Sequence, residues 1–163
     1  MFYIQLIGIL AFCILVLSFY KKKTTTIIAY QIVSSFAYTI HYFLLGALSG
    51  AFINFIGIFR NFGYLKVKKH KKIFASIIIL LYLSITIIFY EDIFSFLPFI
   101  ANSQYLLAML KDNKKTLLIS AVVCSSMWGI YAVFVSSYSA MITETILVVS
   151  NMIQIVKLIK KSR

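Results

Sequence analysis

Residues 66–92 read KVKKHKKIFASIIILLYLSITIIFYED. Lys66, Lys68, Lys69, Lys71 and Lys72 lead into an apolar run over 73–90, which ends at Glu91 and Asp92. A helix needs roughly 17–25 apolar residues to cross about 30 Å of hydrocarbon, and this run qualifies. A barrel strand would alternate polar and apolar positions. Ile77-Ile78-Ile79-Leu80-Leu81 does not alternate.

Six further runs flank it, giving spans at about 2–20, 26–45, 49–65, 73–90, 93–110, 116–135 and 139–158. Nearly the whole chain is used, and the loops are too short for a separate catalytic domain. Composition agrees. The chain is 62% hydrophobic and 12% charged, whereas soluble domains are about half apolar and about a quarter charged. That excludes a soluble globular enzyme, and the dense aromatic and branched residues exclude disorder. Two cysteines cannot make a disulfide scaffold. Cys13 and Cys124 both fall inside spans and read as inert thiols.

The formal net charge is +12, which by itself could suggest nucleic acid. Its distribution argues otherwise. Lys21–Lys23 follow the first span, the Lys66–Lys72 group the third, Lys111, Lys114 and Lys115 the fifth, and Lys157, Lys160, Lys161 and Arg163 the seventh. The loops after the second and sixth spans are uncharged, and the loop after the fourth carries only Glu91 and Asp92. With seven crossings, every basic cluster falls on one face, which the positive-inside rule makes cytoplasmic. The N-terminus is then outside and the C-terminus inside. No basic residue precedes the run at 2–20 and three lysines follow it, so it reads as an anchor rather than a signal peptide. The fifth span is the least apolar, with Pro98, Asn102, Ser103 and Gln104. The charge pattern still requires it to cross.

Shifting the chain by 90 positions aligns the first three spans with the last three without a gap. Lys21 falls on Lys111, Thr26 on Thr116, Ser35 on Ser125, Ser49 on Ser139 and Asn61 on Asn151, while Tyr38 falls on Trp128 and Asn54 on Glu144. The fourth span is left as a linker. The expected fold is therefore all-α, a polytopic membrane protein of seven transmembrane helices. Two parallel three-helix repeats, 1–70 and 91–163, are joined by a linker helix at 71–90. An odd linker makes the two units parallel, related by an axis along the membrane normal. Transporters are often built so, with a site near the midplane.

Ionisable groups within hydrocarbon are costly and mark function by default. His41, Asn54 and Glu144 each lie about five residues from the outer end of a span, which is about 7–8 Å deep at 1.5 Å per residue. Helical periodicity gives the second span a face of Ser34, Tyr38 and His41, and the sixth one of Cys124, Trp128 and Tyr131. The third offers Asn54, Gly57 and Asn61, and the seventh Glu144, Leu147 and Asn151. Pro98 and Asn102 share a face of the fifth, where proline frees a carbonyl one turn earlier. The candidate substrate-binding residues are Tyr38, Asn54, Trp128 and Glu144, flanked by His41, Asn102, Asn61 and Asn151. Simpler readings stand beside these. Asn61 and Asn151 suit hydrogen bonds between helices, Tyr38 and Trp128 suit packing, and Tyr3, Tyr20, Tyr64 and Tyr90 suit the interfacial belt. Arg60 reads as snorkelling toward cytoplasmic headgroups, with ligand contact as the other reading. Glu144 has the weakest structural explanation, because a carboxylate there needs a partner or a proton.

This three-plus-one-plus-three, N-out plan resembles the SWEET, or PQ-loop, transporter superfamily. More closely, the chain resembles the YgjV-type bacterial inner-membrane family, which belongs with that superfamily. The residues that carry the resemblance are Ile40-His41-Tyr42-Phe43-Leu44-Leu45-Gly46, Arg60, Pro98, Met141-Ile142-Thr143-Glu144 and Asn151. Phe99, not glutamine, follows Pro98. The resemblance implies a helical-bundle transporter in the bacterial inner membrane and supplies no substrate. SWEET-type pockets pair a Trp on the second helix of a repeat with an Asn on the third. Trp128 and Glu144, sixteen residues apart like Tyr38 and Asn54, are similar to that pattern. A carboxylate in place of the amide admits proton coupling or a cationic substrate.

The leading expectation is a small-molecule transporter working by alternating access. The alternative is a non-transporting membrane scaffold or partner subunit. An enzyme is not expected, since no His-Glu-x-x-His, Gly-x-Ser-x-Gly or intramembrane aspartate pair is present. The expected partners are the lipid bilayer and a small-molecule substrate, not nucleic acid; a homo-oligomer is left open. No cofactor and no metal is expected.

Overall fold

Apolar runs that end at lysine clusters or at turn residues leave the backbone only one way to satisfy its own hydrogen bonds, which is to coil. The computed structural model describes all residues except 1, 20, 22, 68, 112, 162 and 163. Tyr20, Lys22, Lys68 and Arg163, which figure in the sequence reading, thus lie outside the described residues. Among the described residues seven α-helices follow one another: α1 (Phe2–Phe19), α2 (Thr24–Leu44), α3 (Leu48–Lys66), α4 (Lys71–Ile88), α5 (Phe96–Met109), α6 (Lys114–Phe134) and α7 (Tyr138–Lys161). There is no strand among the described residues. Among the described residues four helical stretches are long and apolar enough to cross a membrane: Thr25–Leu44, Lys71–Ile88, Lys114–Phe134 and Tyr138–Lys160. Phe2–Ser18 and Ile93–Met109 are shorter apolar helices.

The elements depart from the expected spans in two places. The fifth begins as a 3-10 turn over Ile93–Ser95 before α5. Asp92 and Ser95 form a capping box there: Asp92 Oδ1 accepts from the Phe94 and Ser95 amides at 2.9 and 3.2 Å, and Ser95 Oγ accepts from the Asp92 amide at 3.4 Å. The seventh runs on to Lys161, where late lysines complement the carbonyl end of a helix.

The turns joining α2 to α3 and α6 to α7 share one hydrogen-bond pattern. Gly46, at φ 79°, and Ser136, at φ 54°, both take the left-handed conformation that closes a helix. The amides of Gly46 and Ala47 donate to Phe43 O and Tyr42 O, and those of Ser136 and Ser137 donate to Val133 O and Ala132 O. Every one of these positions differs from its counterpart by 90. Likewise Thr24–Leu44 and Lys114–Phe134 coincide at that shift.

Neighbouring helices pack in chain order, with α1 also against α7 and α3 also against α5. α4 packs on α3 and α5. The interior is polar and aromatic: His41, Ser34, Ser49, Thr86, Thr143, Tyr42, Tyr82 and Tyr131 are almost wholly buried. Large aliphatic side chains face outward instead, among them Ile77, Leu80 and Ile87 of α4 and Ile142, Ile146 and Val149 of α7. A water-soluble bundle places these groups the other way round. A chain solvated by lipid hides its polar groups and exposes its apolar ones.

Candidate functional site

Between α2, α3, α5, α6 and α7 lies a cavity of about 270 Å³. Tyr38, Asn54, Asn61, Trp128, Glu144 and Asn151, six of the candidates, line it together. Helical spacing explains this grouping. The stripes Asn54–Asn61 on α3 and Glu144–Leu147–Asn151 on α7 face the same space as Ser34–Tyr38 on α2 and Cys124–Trp128 on α6.

Each group has a distinct environment. Asn54 Nδ2 donates to Gly50 O at 3.1 Å, one turn back on its own helix. Tyr38 Oη donates to Thr143 Oγ1 at 2.9 Å, so α2 is tied to α7 at the cavity wall. Tyr38, Tyr42, Trp128 and Tyr131 form a continuous aromatic cluster. Tyr42 stands between the others, with ring centres 6.3 Å from Tyr38, 5.5 Å from Trp128 and 5.9 Å from Tyr131. Glu144 is half-buried beside Ser125, and no cation pairs with it among the described residues.

Two candidates are not in the lining. His41 shares the depth of Asn54 and Glu144, but its ring turns away, toward α1 and the α6–α7 turn. Nδ1 lies 2.8 Å from Ile4 O and Nε2 lies 2.6 Å from Ser137 Oγ. A carbonyl can only accept, so Nδ1 carries the proton and Nε2 accepts from Ser137. His41 therefore closes the bundle rather than lining the cavity. Asn102 is buried behind the wall. Its Nδ2 donates to Pro98 O at 2.9 Å, which aims Oδ1 at Arg60.

Arg60 is the correction to the sequence reading. It does not reach for headgroups; it turns inward and lines the cavity. Nη1 donates to Asn102 Oδ1 at 2.8 Å, and Nε and Nη2 both donate to Asn61 Oδ1 at 3.2 Å. Tyr105 presents its ring 5.9 Å from the guanidinium carbon. Two amide oxygens and an aromatic face give the guanidinium hydrogen bonds and a cation–π contact but no countercharge. Tyr42 and Tyr105 also line the cavity and were absent from the candidates. Tyr105 lies three residues beyond Asn102, on a neighbouring face that helical spacing marks.

The end of the bundle bearing the α2–α3 and α6–α7 turns is shut by hydrogen bonds between the two halves. Tyr131 Oη lies 3.0 Å from Ser49 Oγ and accepts from the Gly50 amide at 3.1 Å. A Cβ on Gly50 would stand 2.6 Å from the Tyr131 ring, so only glycine lets the two helices approach so closely. Gln5 of α1 clasps the α6–α7 turn, with Nε2 donating to Ser136 O at 3.0 Å and Oε1 accepting from the Ser139 amide at 3.1 Å. The cavity lies below this seal and extends past Asn61 and Asn151 to Met109, near the lysine-bearing end.

The family model for Imp-YgjV, described as a bacterial inner membrane protein, matches residues 2–162. The chain belongs to this family. No match was found among curated proteins or among solved structures. Membership agrees with the lipid-facing exterior, and it places the polar interior of this Imp-YgjV chain within a bacterial inner membrane protein.

Proposed function

We propose that this Imp-YgjV protein is a transporter, not an enzyme, and that it moves a small molecule across the inner membrane by alternating access. The observation that carries the reading is a charged, aromatic-walled cavity sealed at one end by bonds that cross between the two halves of the chain. A channel needs no such seal, and a scaffold needs no cavity. In this reading all seven helices cross the membrane, as two parallel three-helix units and a linker on the SWEET-like plan. The coincident helix bounds and matching turns at a shift of 90 support it. The lysine-bearing ends are cytoplasmic, with the N-terminus outside. The described state is then inward-facing, closed outside and open toward the cytoplasm. Glu144 takes up a proton or a cationic group of the substrate, because no cation among the described residues neutralises a carboxylate there.

Labelling of a cavity cysteine tests this. Leu147 lines the cavity and makes no polar contact. In a Cys13→Ser, Cys124→Ser background, Leu147→Cys should react with a charged, impermeant methanethiosulfonate from both membrane faces, faster from the cytoplasmic one. No reaction from either face would mean a dry interior and favour the scaffold. Reaction from one face alone, under all conditions, would mean a static cavity.

A further inference from the structure

The cavity contains two unlike charges that do not neutralise one another. Glu144 and Arg60 both line it, and no ion pair joins them among the described residues. Glu144 sits six residues into α7, and Arg60 sits twelve residues into α3. Both helices start from equivalent turns at the sealed end, so the Cα atoms differ in depth by about 9 Å at 1.5 Å per residue. The Cys124 thiol, also in the lining, lies within electrostatic range of both charges. The space has a negative pole near the sealed end and a positive pole in the cytoplasmic half.

Each pole has its own furniture. At the negative pole, Glu144 is within range of Tyr38 and Tyr42, with Trp128 alongside. Aromatic faces beside a carboxylate suit an organic cation. At the positive pole, the bonds from Arg60 to Asn61 and Asn102 leave a further N–H on each terminal nitrogen. The amides fix the guanidinium plane, so those donors are preset for a bidentate anion. The Tyr82 hydroxyl is fully buried with the Arg60 guanidinium as its polar neighbour, and no acceptor for its own proton stands among the described residues. A buried hydroxyl whose polar neighbour is itself a donor marks a place where an acceptor is missing.

We propose that the cavity is a bipolar site for a small zwitterion, whose carboxylate docks on Arg60 and whose ammonium docks on Glu144. The inference rests on the transporter reading and names its substrate class. A single positive or negative solute would leave one buried charge unanswered, which is the more costly arrangement. The aromatic wall between the poles accommodates an apolar or aromatic body.

Matched ligands test it on the purified protein in detergent. Thermal protection would be compared for phenylalanine, 3-phenylpropanoate and 2-phenylethylamine, and again for leucine, 4-methylpentanoate and 3-methylbutylamine. A third comparison uses 4-aminobutanoate, whose charges lie farther apart. Within at least one set, the zwitterion should bind more tightly than either singly charged partner. Arg60→Gln should weaken zwitterion binding roughly ten- to a hundredfold, to the level of the amine. Glu144→Gln should reduce it to the level of the carboxylate. Arg60→Lys keeps the charge but loses the fork, and should recover part of the binding even if the glutamine variant folds poorly. An amine or carboxylate that binds as tightly as its zwitterion overturns the proposal. So does zwitterion binding that both variants retain, or no protection by any zwitterion tested. Labelling of Leu147→Cys reports on transport independently, so failure of this ligand class leaves that reading standing.

Discussion

His41 and Tyr131 stand 90 positions apart, and each reaches across to the serine that opens the last helix of the other half. His41 Nε2 lies 3.4 Å from Ser139 Oγ, and Tyr131 Oη lies 3.0 Å from Ser49 Oγ. Ser49 and Ser139 are 90 positions apart as well. A contact whose partners exchange under the repeat shift is the mark of a two-fold interface. On the proposed two-unit plan, that interface lies within one chain and forms the seal above the cavity.

The seal should therefore open when one arm is cut. Tyr131→Phe keeps the ring in the aromatic cluster but removes the hydroxyl from Ser49 and from the Gly50 amide. Two such bonds are worth about 1–2 kcal/mol net, roughly a tenfold shift between closed and open forms. Outside labelling of Leu147→Cys should rise by about that factor and inside labelling should fall. A uniform rise from both faces would indicate loosening of the fold rather than gating.

The two equivalent turns make a paired prediction about stability. Ser136 holds a left-handed conformation that costs an L-residue roughly 1 kcal/mol. Ser136→Gly should raise the thermal midpoint, although the added freedom of the unfolded chain offsets part of the gain. Gly46→Ala should lower it by a comparable amount. Nothing lies within 4 Å of the position a Cβ would take at Gly46, so that loss would be conformational and not steric. Opposite signs in differential scanning fluorimetry would bear out the argument, and equal signs would refute it.

Depth along a helix is legible in this sequence; azimuth is less so. Lysine clusters and turn residues bound each apolar run, so helix ends are expected within a few residues of where they stand. The polar stripes on α3 and α7 are also legible, because two like-facing asparagines or a Glu-Asn pair at helical spacing leave little choice. His41 is different. Its depth matches that of Glu144, yet the Ile4 carbonyl and Ser137 decide where its ring points, and these lie 37 and 96 residues away. Arg60 stands six residues from Lys66, which suits a headgroup equally well. Asn61 beside it and Asn102 on another helix, oriented by the Pro98 carbonyl, hold it inward. Contacts of this kind depend on how α3 and α5 meet, which periodicity within either helix does not contain.

The proposed orientation in the membrane rests on the lysines and is testable at exposed positions. Tyr138, at the sealed end, is 60% exposed, and Lys69 is exposed in the α3–α4 connection. In the cysteine-free background, Tyr138→Cys should be labelled by an impermeant maleimide in intact cells after permeabilisation of any outer membrane. Lys69→Cys should be labelled only in inside-out vesicles. Labelling of both from one face would remove the seven-crossing arrangement.

Glu144 provides the pH test. Glutamine has nearly the same shape and is always neutral, so Glu144→Gln imitates the protonated acid without titrating. If the carboxylate holds an ammonium group, binding should tighten in the wild type as rising pH removes the Glu144 proton, and weaken as acid restores it. Among the described residues no cation stands beside the side chain, so a bound ammonium or a proton supplies its neutralisation. Phenylalanine binding would be followed between roughly pH 5 and 8, where the ligand's own ammonium and carboxylate both stay charged. The wild type should show a titration, and the variant should bind weakly with a flat profile. His41 is the other group near this depth that could titrate in the window, and it belongs to the seal. His41→Gln should lower the thermal midpoint yet leave the titration in place. A titration that survives in Glu144→Gln and disappears in His41→Gln would move the proton from the cavity to the seal and sink the assignment.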